Sequence, residues 1–509
     1  MAAMQTIYRA FEEAQRSAAT HKSGVRIVAG AIQKAGVEEQ TALVESILRT
    51  CLDQCLISAK KEAAIDRVIK FFCEFLAFKE HVNGDQIFRQ GMEHLLARSM
   101  ATDKTVRYRA CQVIAGSITS MDGDAELDEE LLDAMISTLS PRLRDKFPNV
   151  RMWAVKALAR LQDPENPNCP LTKELMRLMS SDSAAAVRVA ATDHILVTKT
   201  ILPHLVSRVR DIKPEVRIAA LEHIAKDVDV RHLSVDQRCT IVQYGLNDRD
   251  AACKRACDSL VLKWCALLDF NVPKLLSLFN LGINENVVEL LAKAICEISA
   301  NGATRGLAVS SNLRTAVNET CPAWGGGASA LTPAEVLWAH LRCEYAFKHS
   351  SPGVAQEVAE ALIPDTVVLC SLLRDAHAKV ALRENGVLQL TVRYLLRVTG
   401  FLEQADKTGG QDLVAVSENM LIDVHFPERL VDVVLDAWAI GLGRVTDESI
   451  IGSIIALSEK FNTEMAEGRA TADVRLLTSE CAKVGMEGVC SCWPSSPPSL
   501  SLAPPSPPS

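Results

Sequence analysis

The side chains best suited to chemistry in this sequence are groups of Lys and Arg, whose chemistry is ionic contact rather than bond breaking. One group lies in the segment 60–76, where an apolar stripe at helical spacing consists of Ile65, Val68, Ile69, Phe72 and Leu76. At about 100° per residue, Lys60, Arg67 and Lys70 fall together on the opposite face, within an arc of roughly 80°. Aligned cations without a base-reading element suit contact with phosphates irrespective of sequence.

Further basic candidates flank the recurring motif described below. They are Lys61, Arg107, Arg109, Arg142, Arg144, Lys146, Lys254 and Arg255. In a stack of similar units, such residues could line one groove. The alternative is that a Lys or Arg on a polar helical face is only solvated, and that an Arg directly after Val in the motif is structural. We assign Arg151, Arg188 and Arg217 to that structural role.

Signatures of catalysis are missing from the sequence. It contains no GxxxxGK[ST], no GxGxxG after a strand and no HExxH, and its 11 His residues show no metal-ligand spacing with Cys. The Gly325–Gly327 run lacks the Lys and the helix start that a phosphate-binding loop needs. We therefore expect a protein that is not an enzyme and holds no cofactor and no metal.

Composition indicates helices packed on helices. The chain has 509 residues, of which 48% are hydrophobic and only 5% are aromatic. The formal net charge is −8, and residues 401–487 alone hold 7 Lys and Arg against 16 Asp and Glu. The first 400 residues are close to neutral, so any surface that binds a polyanion must arise by segregation of charge.

A recurring motif predicts the architecture. Asp, several residues, Val-Arg and then small apolar residues occur as DKTVRYRA (from Asp103), DKFPNVRMWA (Asp145), DSAAAVRVAA (Asp182) and DIKPEVRIAA (Asp211), with a degenerate copy DRDAACKRAC (Asp248). The marker basic residues are 44, 37, 29 and 37 apart. A period near 40 with two helices per unit is typical of HEAT repeats. We predict an all-α HEAT-repeat α-solenoid, a curved superhelix of antiparallel helix pairs.

The predicted organisation has four parts. Residues 1–309 form the N-terminal HEAT-repeat solenoid, 310–332 a Gly-containing loop, 333–487 further helical repeats, and 488–509 a disordered Pro/Ser-rich tail. The 16 Cys residues are expected to be buried free thiols. The N-terminus resembles an amphipathic helix rather than a secretory signal, and no apolar run reaches the roughly 18 residues that cross a bilayer. We expect a soluble intracellular protein.

Four segments carry a resemblance to a known family. They are DKFPNVRMWAVKALARLQDPENPNCP (Asp145–Pro170), VRYRACQVIAGSITSM (Val106–Met121), QYGLNDRDAACKRAC (Gln243–Cys257) and FEEAQRSA near the start. They are similar to the HEAT-repeat non-SMC subunits of condensin that form the CAP-G family of animals and its fungal counterparts. The resemblance covers about residues 1–300 and, more loosely, 330–487. Members continue through a second set of repeats, which we expect this sequence to lack.

The resemblance implies a non-catalytic regulatory subunit. It implies binding of a kleisin subunit, indirect association with the SMC ATPase subunits, and a basic groove that clasps double-stranded DNA for mitotic chromosome condensation. The basic candidates above, from Lys60 to Arg255, are then expected to be DNA-binding. The location implied is the nucleus and chromosomes, with the cytoplasm in interphase. No membrane and no small-molecule substrate are implied.

The kleisin site is expected in apolar grooves between helices, although sequence does not single out its residues. Trp264, Trp338 and Tyr394 are aromatic candidates for it, but such residues more often belong to the core. The competing class is another HEAT scaffold that binds only proteins, either an importin-type transport receptor or a phosphatase scaffold. Importin-type chains tend to be acidic throughout, and phosphatase scaffolds have more uniform repeat spacing.

Overall fold

The fold is known from a computed structural model. It describes residues 2–58, 62–78, 80–81, 84–122, 127–166, 168–302, 306–319, 321–379, 381–402, 406–423 and 425–443. Every regular element within these ranges is a helix and none is a strand. The predicted all-α fold class is therefore confirmed. Lys60, Lys61, the helical segment expected over 447–487 and the tail expected over 488–509 lie outside the described residues.

The chain divides into two compact units. Unit 1 comprises Met1–Val228 and Asp248–Ala256, and unit 2 comprises Asp229–Asn247 and the residues from Cys257 onward. This division differs from the predicted one, which placed its first boundary at residue 309. The excursion of the chain between 229 and 247 has no signature in composition, so the pattern of repeats could not reveal it.

Unit 1 contains the α-helices that come first in the chain. They are α1 (Ala2–Arg16), α2 (His21–Gln33), α3 (Val37–Ile47), α4 (Asp53–Leu56), α5 (Ala63–Leu76), α6 (Gly84–Ser99), α7 (Lys104–Ser120), α8 (Glu129–Leu139), α9 (Pro148–Leu158), α10 (Pro170–Ser181), α11 (Ala185–His194), α12 (Leu202–Ser207) and α13 (Pro214–Asp227). A π-helical turn, Leu48–Leu52, joins α3 to α4.

The helices of unit 1 pack in two layers. In one layer, α5, α7, α9, α11 and α13 are successive neighbours, and each of the last four also packs on the helix that precedes it in the chain. The core between the layers is apolar, with fully buried side chains such as Met92, Ile114 and Leu175. Burial of this kind stabilises each helical repeat only when the neighbouring repeats are present.

Local sequence explains where these helices begin. Asp103 accepts hydrogen bonds from the amides of Thr105 and Val106, at 2.7 and 3.2 Å, and so caps α7. Proline is the first residue of α9, α10 and α13 and the second residue of α12. At these positions a backbone N–H would have no partner within the helix, so its absence costs nothing.

Unit 2 contains the remaining helices and larger aromatic side chains. They are α14 (Val235–Leu246), α15 (Ala251–Leu267), α16 (Val272–Ser277), α17 (Leu281–Asn301), α18 (Ser311–Glu319), α19 (Pro333–His349), α20 (Pro352–Leu362), α21 (Thr366–His377), α22 (Ala381–Glu384), α23 (Gly386–Val398), α24 (Lys407–Leu421) and α25 (Val431–Leu442). The first six residues of α15 are assigned to unit 1.

A row of α17, α19, α23 and α25 forms the centre of unit 2. Trp264, Trp338, Trp438 and Tyr394 are fully buried there. The structure therefore assigns Trp264, Trp338 and Tyr394 to the core, which was the favoured interpretation of the sequence. These side chains are not available for a partner.

The segment 310–332, predicted to be a loop, contains helix α18. Its apolar Leu313 and Val317, four residues apart, are buried, and this spacing is a helical signal that the Gly-rich run obscured. The rest of the segment is anchored: the Trp324 indole N–H donates to the Leu362 carbonyl at 3.2 Å, and the Asp375 carboxylate accepts from the Ala328 amide at 3.2 Å.

The segment 352–377 is divided into two helices, α20 and α21. The chain is extended at Ile363, and the Asp365 carboxylate accepts a hydrogen bond from the Val368 amide at 2.8 Å, which caps α21. Pro364 and Asp365 together are a recognisable stop-and-start signal.

Cysteines of the described residues are free thiols, most of them buried. Burial raises the pKa of the Cys265 and Cys296 thiols to about 12, so both remain protonated and unreactive at neutral pH. Among the helices described, none combines the length and the apolar character needed to cross a membrane.

Candidate nucleic-acid interface

Four Arg–Asp pairs, which we call the Arg–Asp ladder, connect the turns that lead into α7, α9, α11, α13 and α15. The Arg188 guanidinium shows the geometry: its Nε and Nη2 donate to the two carboxylate oxygens of Asp211 at 3.0 and 2.7 Å. The pairs are Arg107–Asp145, Arg151–Asp182, Arg188–Asp211 and Arg217–Asp248. Each Arg therefore binds the Asp of the next motif, and the paired side chains are largely buried.

Each Arg also binds its own turn. The Nη1 of Arg151 donates to the Asp145 carbonyl at 2.7 Å, and the Nη1 of Arg217 donates to the Asp211 carbonyl at 2.9 Å. The carboxylate of each Asp in turn accepts from an amide two residues later, as Asp182 does from Ala184 at 2.9 Å. The ladder thus fixes both the shape of each turn and its register with the next.

The ladder stays charged at neutral pH. Burial alone would raise the pKa of the Asp211 carboxyl, but the Arg188 hydrogen bonds and the Lys213 amide outweigh burial, and the pKa is lowered. The pKa values of Asp145 and Asp248 are lowered in the same way, against burial, by Arg107 and Arg217.

Arg107, predicted to bind DNA, belongs to this ladder. It is 9% exposed and bonds to Asp145 and to the carbonyls of Ala101 and Thr102 at 2.9 and 2.8 Å. It directly follows Val106 in the motif, so the structural role that the sequence offered as the alternative for an Arg in that position holds for Arg107 as it does for Arg151. A buried guanidinium with its donors occupied is not available to a phosphate.

Arg109, also predicted to bind DNA, is 1% exposed. Its Nη1 donates to Asp66 and Gln112 at 3.0 and 2.8 Å. Asp66 lies on α5, 43 residues earlier, so this pairing is tertiary and left no local trace. We therefore remove Arg107 and Arg109 from the candidate interface.

The turn before α9 holds three predicted cations in different states. Arg142 is half-buried and its Nη1 lies 3.4 Å from the Asp145 carboxylate. The Arg144 side chain is 73% exposed and donates twice to Glu174, at 2.9 and 3.2 Å. Hydrogen bonds from Arg144 and Arg177 lower the pKa of Glu174 to about 2. Lys146 is exposed and makes no ion pair with any residue that the structure describes.

The predicted cluster on α5 separates into two roles. The Nε of Arg67 donates to the Gln15 carbonyl at 2.6 Å and so ties α5 to α1. Lys70 projects from the same helix with its side chain 66% exposed, 3.9 Å from Glu74. Lys60 and Lys61 lie outside the described residues. Among the described members of this group, Lys70 is the one with a largely exposed side chain.

The remaining predicted cations, Lys254 and Arg255, are exposed on the first turn of α15. Sequence reasoning missed three other exposed cations in the same row of turns: Lys104, Lys213 and Arg249. The signal that could have found them is position, because each follows the Asp of a motif by one or two residues. Their placement in one row depends on the ladder, which the sequence alone could not establish.

Two grooves also lie in unit 1. The larger, of about 750 Å³, runs between α8 and α10, and its floor includes the buried Leu143, Cys169 and Leu171. The smaller, of about 420 Å³, lies between α9 and α11, with Met152 and Val189 inside and Lys156 and Asp193 at one end. Within the described ranges, no group of three or more His, Cys, Asp or Glu could hold a metal ion.

Comparison with known proteins agrees with this fold. A family model described as HEAT repeats matches residues 92–195. Condensin complex subunit 3 of Homo sapiens is 27% identical over 429 residues, which is 79% of this chain and 41% of the human protein. The protein of the same name from Schizosaccharomyces pombe is 31% identical over 263 residues, which is 51% of this chain and 30% of that protein.

A solved structure shares the fold. The crystal structure of the S. pombe condensin Cnd3-Cnd2 subcomplex superposes with a TM-score of 0.73 at 21% identity, and covers 94% of this chain and 59% of that chain. The chain spans about two-fifths of the vertebrate relatives it matches, 41% of the human and 42% of the Xenopus laevis protein. The resemblance first seen in the motif segments is therefore confirmed: the chain is a HEAT-repeat homologue of condensin complex subunit 3.

Proposed function

We propose that the chain is a regulatory HEAT-repeat subunit of a condensin complex, which binds the kleisin subunit and clasps duplex DNA without reading its sequence. It acts without catalysis of its own, in chromosome condensation, in the nucleus and on chromosomes. The observation that carries the proposal is the similarity to condensin complex subunit 3 over 79% and 84% of this chain in two vertebrates.

Exposed basic residues support the DNA part of the proposal. After removal of Arg107 and Arg109, the surface of unit 1 still presents Lys70, Lys146 and Lys254, none of which is buried in a structural pair. Arg144 and Arg255 are also exposed. Contacts of Lys and Arg with phosphates supply sequence-independent affinity that weakens as salt rises. The near-neutral charge of the first 400 residues makes such a local surface necessary.

The groove between α8 and α10 supports the kleisin part. The neighbour of known structure is a Cnd3-Cnd2 subcomplex, which favours a kleisin-type partner for this chain. An extended or helical segment needs an apolar floor for its side chains and a polar rim for its backbone. The 750 Å³ groove offers both, with Leu143 and Leu171 below and Ser137 and Asp163 at the rim. We propose that a kleisin segment occupies it.

Co-purification tests the proposal. The tagged full chain, isolated from mitotic cells of its own organism, is expected to retain a kleisin and two SMC ATPases, identified by mass spectrometry. Recovery of transport cargo, or of a phosphatase catalytic subunit, without kleisin or SMC proteins would instead establish the competing type of HEAT scaffold.

Substitutions in the groove test the kleisin site. Ile136→Arg and Leu161→Arg place charge on half-buried lining residues and are expected to abolish kleisin recovery because an apolar segment cannot desolvate the guanidinium. Ile27→Arg, at a site on α2 that is 50% exposed, is the matched control. Loss of kleisin in all three variants, or in none, would exclude this groove.

Charge reversal at Lys60, and at Lys70 on α5, tests the DNA contact predicted from sequence. Lys60→Glu with Lys70→Glu is expected to weaken duplex binding and to make the slope of log K against log salt shallower by about 0.9 per lost contact. Arg67→Glu is expected to disturb the packing of α5 on α1 instead, because Arg67 bonds to the Gln15 carbonyl. Fluorescence anisotropy at several salt concentrations, with kleisin present, measures the first effect, and thermal unfolding measures the second.

A further inference from the structure

We infer that the row of turns before α7, α9, α11, α13 and α15, which we call the turn ridge, is the track along which the phosphate backbone of duplex DNA lies. The residues of the turn ridge belong to unit 1. The inference rests on the proposed function and names the surface that carries it. It extends the sequence prediction, in which Lys146 is already a candidate at a repeat turn, by adding Lys213 and Arg249, which that prediction missed.

Direct contacts join the first turns of the ridge. The Lys104 ammonium, in the turn before α7, lies 5.0 Å from the centroid of the Phe147 ring, in the turn before α9. Arg151 then reaches back to the Lys146 carbonyl at 3.4 Å and forward to the Asp182 carboxylate at 2.7 Å. These contacts place three successive turns side by side.

Further contacts continue the ridge. The Nη1 of Arg208, in the turn before α13, donates to the carbonyl of Ser180, in the last turn of α10, at 3.1 Å. The Nε of Arg217 then donates to Asp248, in the turn before α15, at 2.6 Å. The ridge is therefore one continuous edge of unit 1 rather than a set of separate loops.

The ladder sets which side chains the ridge exposes. In four turns the Asp carboxylate holds the amide two residues later, at 2.9 to 3.0 Å. The residue directly after the Asp is consequently at the outside of each turn. Those residues are Lys146, Ser183, Ile212 and Arg249, and every one is exposed, Ile212 at 84%.

Charge on the ridge is unbalanced in one direction. The ladder neutralises itself because each Arg has its own Asp. Lys146, Lys213 and Arg249 are exposed and make no ion pair with any residue within the described ranges. Lys104 and Lys254 are exposed in the same row, which makes five exposed cations with these three. The acids Asp103 and Asp250 accept amides at helix starts, at 2.7 and 2.9 Å, and remain charged. Glu215, near the start of α13, is also exposed on this side.

The spacing of the ridge suits a polymer of phosphates. Packed helices lie about 8–10 Å apart, so cations on successive turns repeat at that interval or its multiples. Duplex DNA carries a charge for about every 1.7 Å of its axis, so a phosphate is available near each cation whatever the rotation of the duplex. The cations are spread along the whole edge without a base-reading element, which suits a long phosphate backbone better than a short acidic peptide. At one turn, Lys213 and Glu215 also border the smaller groove between α9 and α11.

A matched pair of triple variants tests the inference. Lys146→Glu, Lys213→Glu and Arg249→Glu are combined on the ridge of the full chain. The control combines Lys34→Glu, Lys173→Glu and Lys199→Glu, three exposed residues at the connections between repeats, after α2, at the start of α10 and between α11 and α12. Both variants change the net charge equally. Each is titrated with a fluorescent duplex, alone and with a kleisin subunit.

The ridge variant is expected to bind duplex DNA at least about tenfold more weakly at moderate salt, with a salt slope shallower by about 2.7, as three lost phosphate contacts require. The control is expected to bind as the unsubstituted chain does, and thermal unfolding of both is expected to be unchanged. The side chains of Lys146, Lys213 and Arg249 make no ion pair and no hydrogen bond with any residue that the structure describes, so misfolding is not anticipated.

Other outcomes overturn the inference in distinguishable ways. If the unsubstituted chain binds no duplex with or without kleisin, the DNA part of the proposed function fails and the ridge has no role. If it binds, and the ridge variant matches it or both variants weaken equally, the ridge is excluded while DNA binding stands. If polyglutamate competes for the ridge as well as duplex does at equal charge, the surface is one for acidic protein rather than DNA.

Discussion

The two units of this chain join their helices by different means. Unit 1 links successive repeats through buried Arg–Asp pairs, and those partners lie 23 to 38 residues apart in the chain. Unit 2 relies on large buried aromatic side chains, Trp264, Trp338 and Trp438, and on a partly exposed ionic contact between α17 and α23. In that contact Glu285 pairs with Arg393 and Arg397, 108 and 112 residues away.

The difference explains which repeats are recognisable in sequence. A ladder requires Asp and Arg at fixed positions in every turn, so it leaves a motif that repeats. Apolar packing is satisfied by many combinations of similar volume, so it leaves only helical periodicity. The match to the HEAT-repeat model, residues 92–195, accordingly includes the first two Arg–Asp pairs of the ladder and ends one residue after α11.

The largest loss of stability is expected when one member of the Arg–Asp ladder in unit 1 is removed. Arg188→Met removes two hydrogen bonds from the Asp211 carboxylate, whose side chain is only 4% exposed, and leaves it with Arg208, 3.5 Å away, as its cation. Loss of one partner of a buried pair costs about 3–5 kcal/mol in unfolding free energy. Hydrogen exchange followed by mass spectrometry is expected to show faster exchange in α11 and α13, with α19 and α23 unchanged.

Two controls accompany Arg188→Met. The double variant Arg188→Met with Asp211→Leu removes both charges and is expected to recover much of the lost stability. Arg144→Met breaks a pair whose Arg is 73% exposed, and is expected to cost less than about 1 kcal/mol. If Arg188→Met costs no more than Arg144→Met, the ladder does not stabilise unit 1.

Much of unit 1 could be predicted from sequence, because its determinants are local. The Asp–Val-Arg motif predicted the repeats, and the assignment of Arg151, Arg188 and Arg217 to structure is what their contacts show. The motif left open whether each Arg binds the Asp of its own repeat or of an adjacent one. The structure shows both: the carbonyl of its own turn and the carboxylate of the next.

The predictions that were wrong have two causes. Some side chains bind partners that are distant in the sequence, and some local helix signals were overlooked. Arg67 falls on the polar arc of α5 as calculated, yet its partner is a carbonyl on α1, 52 residues away, which no local pattern encodes. In the same way, Arg109 donates to Asp66, a distant residue on α5, and is therefore not available to DNA. By contrast, two other features had local signals in the sequence. The break at Pro364 was obscured by the apolar periodicity on both sides of it, and the helix around Leu313 was obscured by the Gly-rich run that follows it.

Acid is expected to affect unit 2 through His340. Burial, and then the nearby Arg397, lower the pKa of this imidazole to about 4. Because the folded pKa is lower than the unfolded value near 6.5, unfolding takes up a proton between pH 6.5 and about 4, and stability falls as pH falls through that window. The contribution lost is about 2 kcal/mol, after allowance for partial exposure.

Replacement of the imidazole isolates this effect. His340→Gln is expected to flatten the dependence of the urea midpoint on pH between about 6.5 and 4, since Gln does not titrate. His349→Gln, at an exposed position on the same helix, is the control and is expected to keep the dependence of the unsubstituted chain. An unchanged pH dependence in His340→Gln would assign the acid sensitivity to other groups.

The smallest effect is expected at the ionic contact of unit 2. Glu285→Gln removes a charge that is 22% exposed and shared by Arg393 and Arg397, each 30% exposed. Water reaches all three groups, so the cost is expected to be about 0.5–1 kcal/mol, against several for a ladder rung. Glu357→Gln, at an exposed site on α20, is the matched control and should leave the urea midpoint unchanged. A loss at Glu285 as large as that at Arg188 would mean that unit 2 also depends on ionic links between its helices, and that the two units differ in sequence regularity but not in how they are held together.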